Sequence, residues 1–401
     1  MLRTFAGDGA WCWFQDPRAV CIRHRFDRIY ATWVTRTGAL QIGAYDHDLH
    51  ETSIFELRRE WGRDDHGSGS LLVLPDGRLM VFYAQHNGRG LYCRTTSRPE
   101  DIGAWDDEIA VTRESGVTYS HPVHLRDEGL IHVFWRGADW KPAYATSPDG
   151  RVWSEARTLI RDVGRAANRI RPYLKVVSDG QSAIHFAFTD GHPRDEAQNS
   201  VFHFRYERKE FRTEDGSRLG GFADLPISHR SSSVVYDGKL HGVRAWIWDV
   251  ALDRGGRPII AYTRLPRADD HRYHYARWNG QTWNDVQITP GGRWFPQTPI
   301  LQREREPHYS GGIALDHANP SIAYISLQID GTFEIEKWTT SDDGNTWEAT
   351  PITSSSRQDN VRPVVPHGSE GSGNELLWMQ GHYVHYTNFD TRIQLWADAK
   401  A

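Results

Sequence analysis

Cysteine and methionine are scarce, three of each in 401 residues. Cys12, Cys21 and Cys93 have no metal-ligand spacing and cannot all pair, which excludes a disulfide framework and a thiolate metal centre. They are expected as small buried residues in a reducing compartment. Helical periodicity is nearly absent, so bundles and alternating helix–strand folds are excluded. No apolar run reaches the roughly 20 residues of a membrane-spanning helix, and no membrane partner is expected. The opening MLRTFAGDGAWCWFQDP has no apolar leader segment, so a cytoplasmic enzyme is expected if Met1 is the native start and a secreted one if the chain was trimmed. Net charge is −5, from 47 basic and 52 acidic residues spread without long runs, which argues against a nucleic-acid partner.

What the chain does have is a strand phrase that returns seven times. It reads RIYATWV from Arg28, RLMVFYA from Arg78, LIHVFWR from Leu130, SAIHFAF from Ser182, RPIIAYT from Arg257, SIAYISL from Ser321 and ELLWMQG from Glu375. The starts lie 50, 52, 52, 75, 64 and 54 positions apart. Most copies follow turn residues such as Asp76-Gly77, Asp179-Gly180 or Asn319-Pro320, which supply the φ values a tight reversal needs. Repeats of this length, filled with short aromatic and β-branched strands, predict an all-β, seven-bladed β-propeller in which residues 1–401 form a single domain. The repeated strands are expected to run along the central channel. Thr340-Ser-Asp342-Asp-Gly344-Asn-Thr-Trp347 fits an Asp box, a hairpin device that marks propellers, and Asp149-Gly150 with Trp153 is a degenerate copy. The two long intervals predict insertions around 190–235 and 290–312.

Residues just past the repeated strands should gather at one mouth of the channel. Among them His66, His86, Tyr119 and Arg136 place two imidazoles, a phenol and a guanidinium at matching ends of paired strands. These groups suit β-elimination from a 4-linked uronate. The C5 proton is weakly acidic, and a bidentate guanidinium on the neighbouring carboxylate stabilises the developing enolate. An imidazole near its neutral range takes the proton, and a Tyr or second His protonates the leaving O4. No cofactor is required by that chemistry. The competing arrangement is a pair of buried histidines satisfied by Asp64 or Asp65, with Arg136 in a channel salt bridge. On spacing alone the plainer arrangement has the edge.

Longer motifs add to this. GDGAWCWFQDPRAV at 7–20, DDH…PDGRL…AQH at 64–86, TYSHP at 118–122, RPYLKVVSDG at 171–180 and FTDGHPR at 188–194 span the first half. YSGGIALDHANP at 309–320 and NVRPVVP at 360–366 continue it. With these motifs the chain resembles, over nearly its whole length, the propellers with BNR-type repeats that include ulvan lyases and lyases cleaving rhamnosyl-α-1,4-glucuronate. The resemblance implies a carbon–oxygen lyase acting on an acidic oligosaccharide or polysaccharide. It implies that His66 and His86 are the two active-site histidines, Tyr119 the catalytic tyrosine and Arg136 the carboxylate-neutralising arginine. We favour His86 as base with Tyr119 as its partner, and His66 in support.

Substrate-binding candidates form a wider ring: Arg169, Arg171, Tyr173, Asp190, His192, Arg244, Trp246, Trp248, Tyr309, Arg362 and His382. Arginine–carboxylate pairing and Trp stacking suit an acidic sugar. For Arg171 and Arg362, each followed by Pro, a structural role between blades is equally expected. His192 and His382 are the candidates for a structural metal ion, although no compact ligand motif surrounds them. Two alternatives stand beside the lyase. One is a histidine-based glycoside hydrolase of α-L-rhamnosidase type, since the strand ends supply mainly Asp190 rather than the usual two carboxylates. The other is a non-catalytic carbohydrate-binding propeller, which has no need of His66, His86, Tyr119 and Arg136 together.

Overall fold

All seven repeated phrases form strands, and each is the second strand of its antiparallel set. A computed structural model describes residues 2–161, 170–293, 311–368 and 375–397. Four of its sheets have four strands each: those starting at Ala19–Arg23, Arg244–Leu252 and Ile313–Leu315, and the last, from Asp359–Val364. The strand nearest the axis is therefore the one before the repeat. These first strands stand side by side in a ring, and a bridge from Val20 to His367 closes it. This corrects the expectation that the repeated phrases line the channel. They lie one strand further out, buried on both faces, which is why they read as near-continuous apolar runs.

Hydrogen bonding divides the described residues into six sheets, which corrects the expectation of seven separate blades. The difference arises at the 17-residue strand Ile109–Leu125. Its first half pairs with Gly88–Arg98 and its second half with Leu130–Arg136, so two repeats share one eight-stranded sheet. Gly116 falls where the two halves meet, and the chain bends there at φ 86° within one continuous strand. The insertion expected at 190–235 enlarges one sheet to six strands. A hairpin, Glu210–Arg212 with Arg218–Gly220, and a returning strand, Ser233–Tyr236, are added to Val201–Glu207. Of the second expected insertion, 294–310 lie outside the described residues.

Helix is nearly absent, with one α-helical turn, Gly238–His241, and a few 3₁₀ turns among the described residues. The Asp box forms as expected: Asp342 Oδ1 accepts from Thr346 N at 2.8 Å, and Trp347 Nε1 donates to the Gly344 carbonyl at 2.9 Å. The degenerate copy repeats this with Trp153 on Gly150 at 3.2 Å. All three cysteines are free and buried. Large rings fill the space between sheets, and Trp11, Trp33, Trp135 and Trp378 are fully buried. Gly9 and Gly43 flank Trp33, and a Cβ on either would come within 2.6 and 2.8 Å of the ring. Both positions therefore admit no side chain.

The ring is closed by the chain's own beginning. Leu2–Ala6 pairs with Asn388–Ala397 as the outer strand of the last sheet. Gly9 N donates to Thr391 O at 2.9 Å, and Ala10 bridges to Val34 of the first sheet. Truncating Ile393, fully buried at this seam, to alanine is expected to cost about 2–5 kcal/mol. The denaturant midpoint measures it, and an unshifted midpoint would show that the seam does not limit stability.

Candidate active site

Because each second strand runs antiparallel to its first, the starts of first strands and the ends of second strands share one mouth. There His86, Arg136, Asp190 and His192 follow second strands, while Tyr119, Tyr173 and Trp246 open first strands. A cavity of about 1010 Å³ opens at the other mouth, beside Val73, Arg126, Ser178 and Leu252, and holds none of these residues.

The centre is built on a short 3₁₀ turn, Asp65–Gly67, capped by Asp64. The cap carboxylate does two jobs. Its Oδ1 accepts from His66 N at 3.0 Å and from His66 Nδ1 at 2.9 Å, and its Oδ2 accepts from His86 Nδ1 at 3.1 Å. With both Nδ1 atoms turned to Asp64, each imidazole keeps its Nε2 for other partners. The two rings stack at 4.1 Å, nearly parallel, and Tyr386 sets its ring edgewise to both.

Burial works against charge on Asp64, but the hydrogen bonds from His66 and His86 outweigh it and hold the carboxyl well below its ordinary range. Burial also opposes a charge on His66, yet Cys12, Asp64 and Asp65 raise its pKa well above the ordinary imidazole value. His86 goes the other way. Burial lowers it, the positive His66 and Arg136 add to that, and its single bond to Asp64 does not compensate. One imidazole thus holds a proton and its neighbour stays neutral.

Asp65 is turned inward. Arg362 Nη1 donates to its Oδ2 at 2.6 Å and to the Trp11 carbonyl at 2.6 Å, and the Tyr383 hydroxyl donates to the same Oδ2. Arg362 is 2% exposed. This corrects its expected role as a substrate ligand: its guanidinium is spent inside the protein, and its influence on the site runs through Asp65.

Tyr119 sits at φ 57° in a bulge between Thr118 and Ser120. A left-handed tyrosine is strained, and the bulge rotates it out of the ladder against His66, 5.5 Å between rings. Burial, reinforced by Cys12, raises its hydroxyl well above the ordinary phenol despite Arg136. Arg136 is paired in register with Thr118. Its Nη2 donates to Thr118 Oγ1 at 2.8 Å and to Asn87 Oδ1 at 3.0 Å. Tyr119 lies 4.7 Å and Trp140 4.5 Å from its Cζ, as ring faces. Among the described residues no carboxylate reaches salt-bridge distance of Arg136, and its buried Nε has no hydrogen-bond partner. Among these residues the channel salt bridge of the plainer arrangement is not formed.

Tyr173, His192 and Trp246 continue the wall. His192 meets Trp246 edgewise at 4.0 Å and Tyr173 at 5.8 Å, and Phe14 packs against Tyr119, Tyr173 and Trp246. Burial, then the cations Arg194, Arg136, His66 and Arg171, keep His192 neutral. Arg171 is exposed, with its Cζ 5.0 Å from the Trp140 ring. Other expected ligands are engaged within the protein. Trp248 stacks on Trp13 at 4.5 Å in the core, Arg244 donates to Pro193 O at 2.7 Å, and Asp190 accepts from Ser200 N at 2.8 Å. His382 is exposed on the strand Glu375–His385, opposite Asp390, and neither it nor His192 belongs to a group of three possible metal ligands among the described residues. Arg169 and Tyr309 lie outside the described residues.

Sequence reasoning missed Asn87, Trp140, Tyr386 and Phe14 and left the task of Asp64 undivided. Asp64 was open to discovery as a cap ahead of a turn. Nothing in the sequence marks Trp140 or Tyr386, which arrive from hairpin tips. Asp64, His66 and His86 also offer three ligand atoms within 4.8 Å. The carboxylate of this group is already shared between the two Nδ1 atoms.

Residues 28–290 match the model of the BNR repeat-containing family. The ulvan lyase PL25 of Pseudoalteromonas sp. (strain PLSV) is 26% identical over 298 residues, 60% of this chain and 58% of that protein. The chain thus spans less than two thirds of the curated relative it matches. A solved PL25 ulvan lyase, bound to a sugar of GlcA(1-4)-linked sulfated rhamnose, superposes with a TM-score of 0.73 at 16% identity, covering 99% of this chain and 96% of that one. A second polysaccharide lyase superposes with a TM-score of 0.57 at 12% identity over 95% and 90% of the two chains. These likenesses establish the propeller fold.

Two outcomes are expected. In an NMR titration His86 gains its proton below pH 6.5 and His66 above it; the reverse order would exchange their roles. Arg362→Ala, which strands a buried carboxylate, should cost about 3–5 kcal/mol in chemical denaturation.

Proposed function

We propose that this chain, which belongs to the BNR repeat-containing family, is a lyase that cleaves a 4-linked glucuronate in an acidic glycan by β-elimination. The observation that carries the proposal is an arginine with no carboxylate partner among the described residues, set beside a stacked pair of imidazoles and a phenol. Arg136 takes the uronate carboxylate, with its free hydrogen-bonding capacity directed to the two oxygens. As the C5–H bond breaks, its proton passes to His86 Nε2 and the electron pair spreads onto the carboxylate held by Arg136. Collapse forms C4=C5 and breaks C4–O4, and Tyr119 gives its proton to the departing oxygen. Asp64 fixes the His86 tautomer, and the charged His66 keeps Asp64 ionised and His86 neutral. The scheme needs no metal.

The aromatic wall of Tyr173, Trp246 and Trp140 suits the apolar face of a sugar, and the exposed Arg171 suits a second anionic group along the glycan. The relative's ulvan and the rhamnose–glucuronate pair are the substrates proposed first. A hydrolase with two carboxylates is disfavoured, because Asp64 is committed to two imidazoles and Asp190 to a loop amide.

Ultraviolet absorbance tests the proposal, since only elimination conjugates a new double bond with the carboxylate. With rhamnose–glucuronate oligosaccharides the wild type should give rising absorbance. His86→Ala and Arg136→Ala should each lower kcat/KM on the order of 10³-fold, with His86→Ala still binding substrate. The acid limb of kcat/KM should lie below pH 6.5, because His86 must be neutral and its pKa is lowered. Reducing ends without absorbance would instead assign a hydrolase, and binding without any product a lectin.

A further inference from the structure

A second histidine cluster lies within the enlarged sheet, on strands the catalytic reading does not use. His185 is on Ala183–Thr189 and His203 on Val201–Glu207. In the antiparallel register His185 faces Arg205 and Ala187 faces His203, so the two imidazoles lie diagonally on one face of the sheet. The chain then turns back after Glu210–Arg212, and this turn brings Glu214 to the same face. The side chains of His185, His203 and Glu214 are only 4%, 0% and 3% exposed.

Their polar atoms converge, and only the two imidazoles hydrogen-bond to each other. His185 Nδ1 is 3.3 Å from His203 Nε2, and Glu214 Oε1 is 3.2 Å from His203 Nδ1 and 3.8 Å from His185 Nδ1. His203 Nδ1 and Glu214 Oε1 are buried with no hydrogen-bond partner. Arg205 Nη1 donates to Glu214 Oε2 at 3.0 Å, which fixes the carboxylate and leaves Oε1 facing the imidazoles. Trp283 closes the other side, its ring edgewise 5.5 Å from His203. Two buried polar atoms without hydrogen-bond partners, facing each other beside a second imidazole, form a pocket of ligand atoms in which a cation can be held.

We propose that His185, His203 and Glu214 bind one zinc ion that pins the hairpin to the sheet. One ligand atom from each residue lies within 4.8 Å of the other two. A tetrahedral zinc with bonds of about 2.0 Å spaces its ligands about 3.3 Å apart, so a small side-chain adjustment suffices. Two imidazoles and one carboxylate suit zinc better than calcium or magnesium, with a water in the fourth position. Arg205 orients the carboxylate from behind, as outer-shell partners do. The proposal is independent of the lyase assignment.

The full chain, stripped by chelator, is titrated with cobalt(II) as a spectroscopic substitute and then with zinc. One equivalent of cobalt with tetrahedral d–d bands is expected, displaced by zinc, together with a rise in Tm of several degrees. Affinity should fall roughly 10²-fold in His203→Gln and Glu214→Gln and be unchanged in His86→Ala. A wild-type chain giving no such bands overturns the site whatever the variants do. Binding kept in His203→Gln and lost in His86→Ala would also overturn it, by placing the ion at Asp64, His66 and His86.

Discussion

The buried contact between Asp65 and Arg362 ties together parts of the ring that are distant in sequence. Asp65 lies in the turn ahead of Ser70–Val73, Arg362 in the first strand of the last sheet, and Trp11 and Tyr383 complete the cluster. A buried ion pair has to offset a large desolvation cost, and it does so only when the remaining hydrogen-bonding capacity is filled. Here the Tyr383 hydroxyl and the Trp11 carbonyl fill it. Once Asp65 is held, the turn it begins is held, and the cap Asp64 must face the opposite way. The adjacent carboxylates thus divide the labour, one anchoring the ring and the other addressing the mouth.

The chemistry of the mouth follows from that division. A single carboxylate shared between two stacked imidazoles cannot make them equivalent, because His66 is also beside Asp65 while His86 faces Arg136. Their pKa values therefore move apart, His66 upward and His86 downward. The aromatic walls strengthen every such interaction by excluding water. The strained backbone at Tyr119 has the same origin: a bulge places the phenol where the ladder would otherwise have turned it away.

Much of this was legible in the sequence. Seven strand phrases and the Asp box give the propeller, and strand ends at one mouth give His66, His86, Tyr119 and Arg136. Two features were not legible, for a shared reason. The position of the repeat within its sheet depends on which neighbour it pairs with first, and the fusion of two repeats depends on Ile109–Leu125 continuing through Gly116. Both are matters of hydrogen-bond register, which residue patterns describe only weakly. Arg362 and Trp248 look like ligands because burial is invisible from composition. Trp140 and Tyr386 escape notice because they come from hairpin tips with no period of their own.

The seam between Leu2–Ala6 and Asn388–Ala397 also makes the mouth answerable to a joint far from it in sequence. The strand that completes the last sheet leads into the segment from Gly9 to Phe14, and Phe14 packs against Tyr119, Tyr173 and Trp246. On the other side of the joint, Glu375–His385 carries Tyr383 to Asp65, and the tip that follows carries Tyr386 to the stacked imidazoles. A seam that opens therefore loosens two walls of the mouth together, so closure of the ring and shape of the mouth are a single mechanical property.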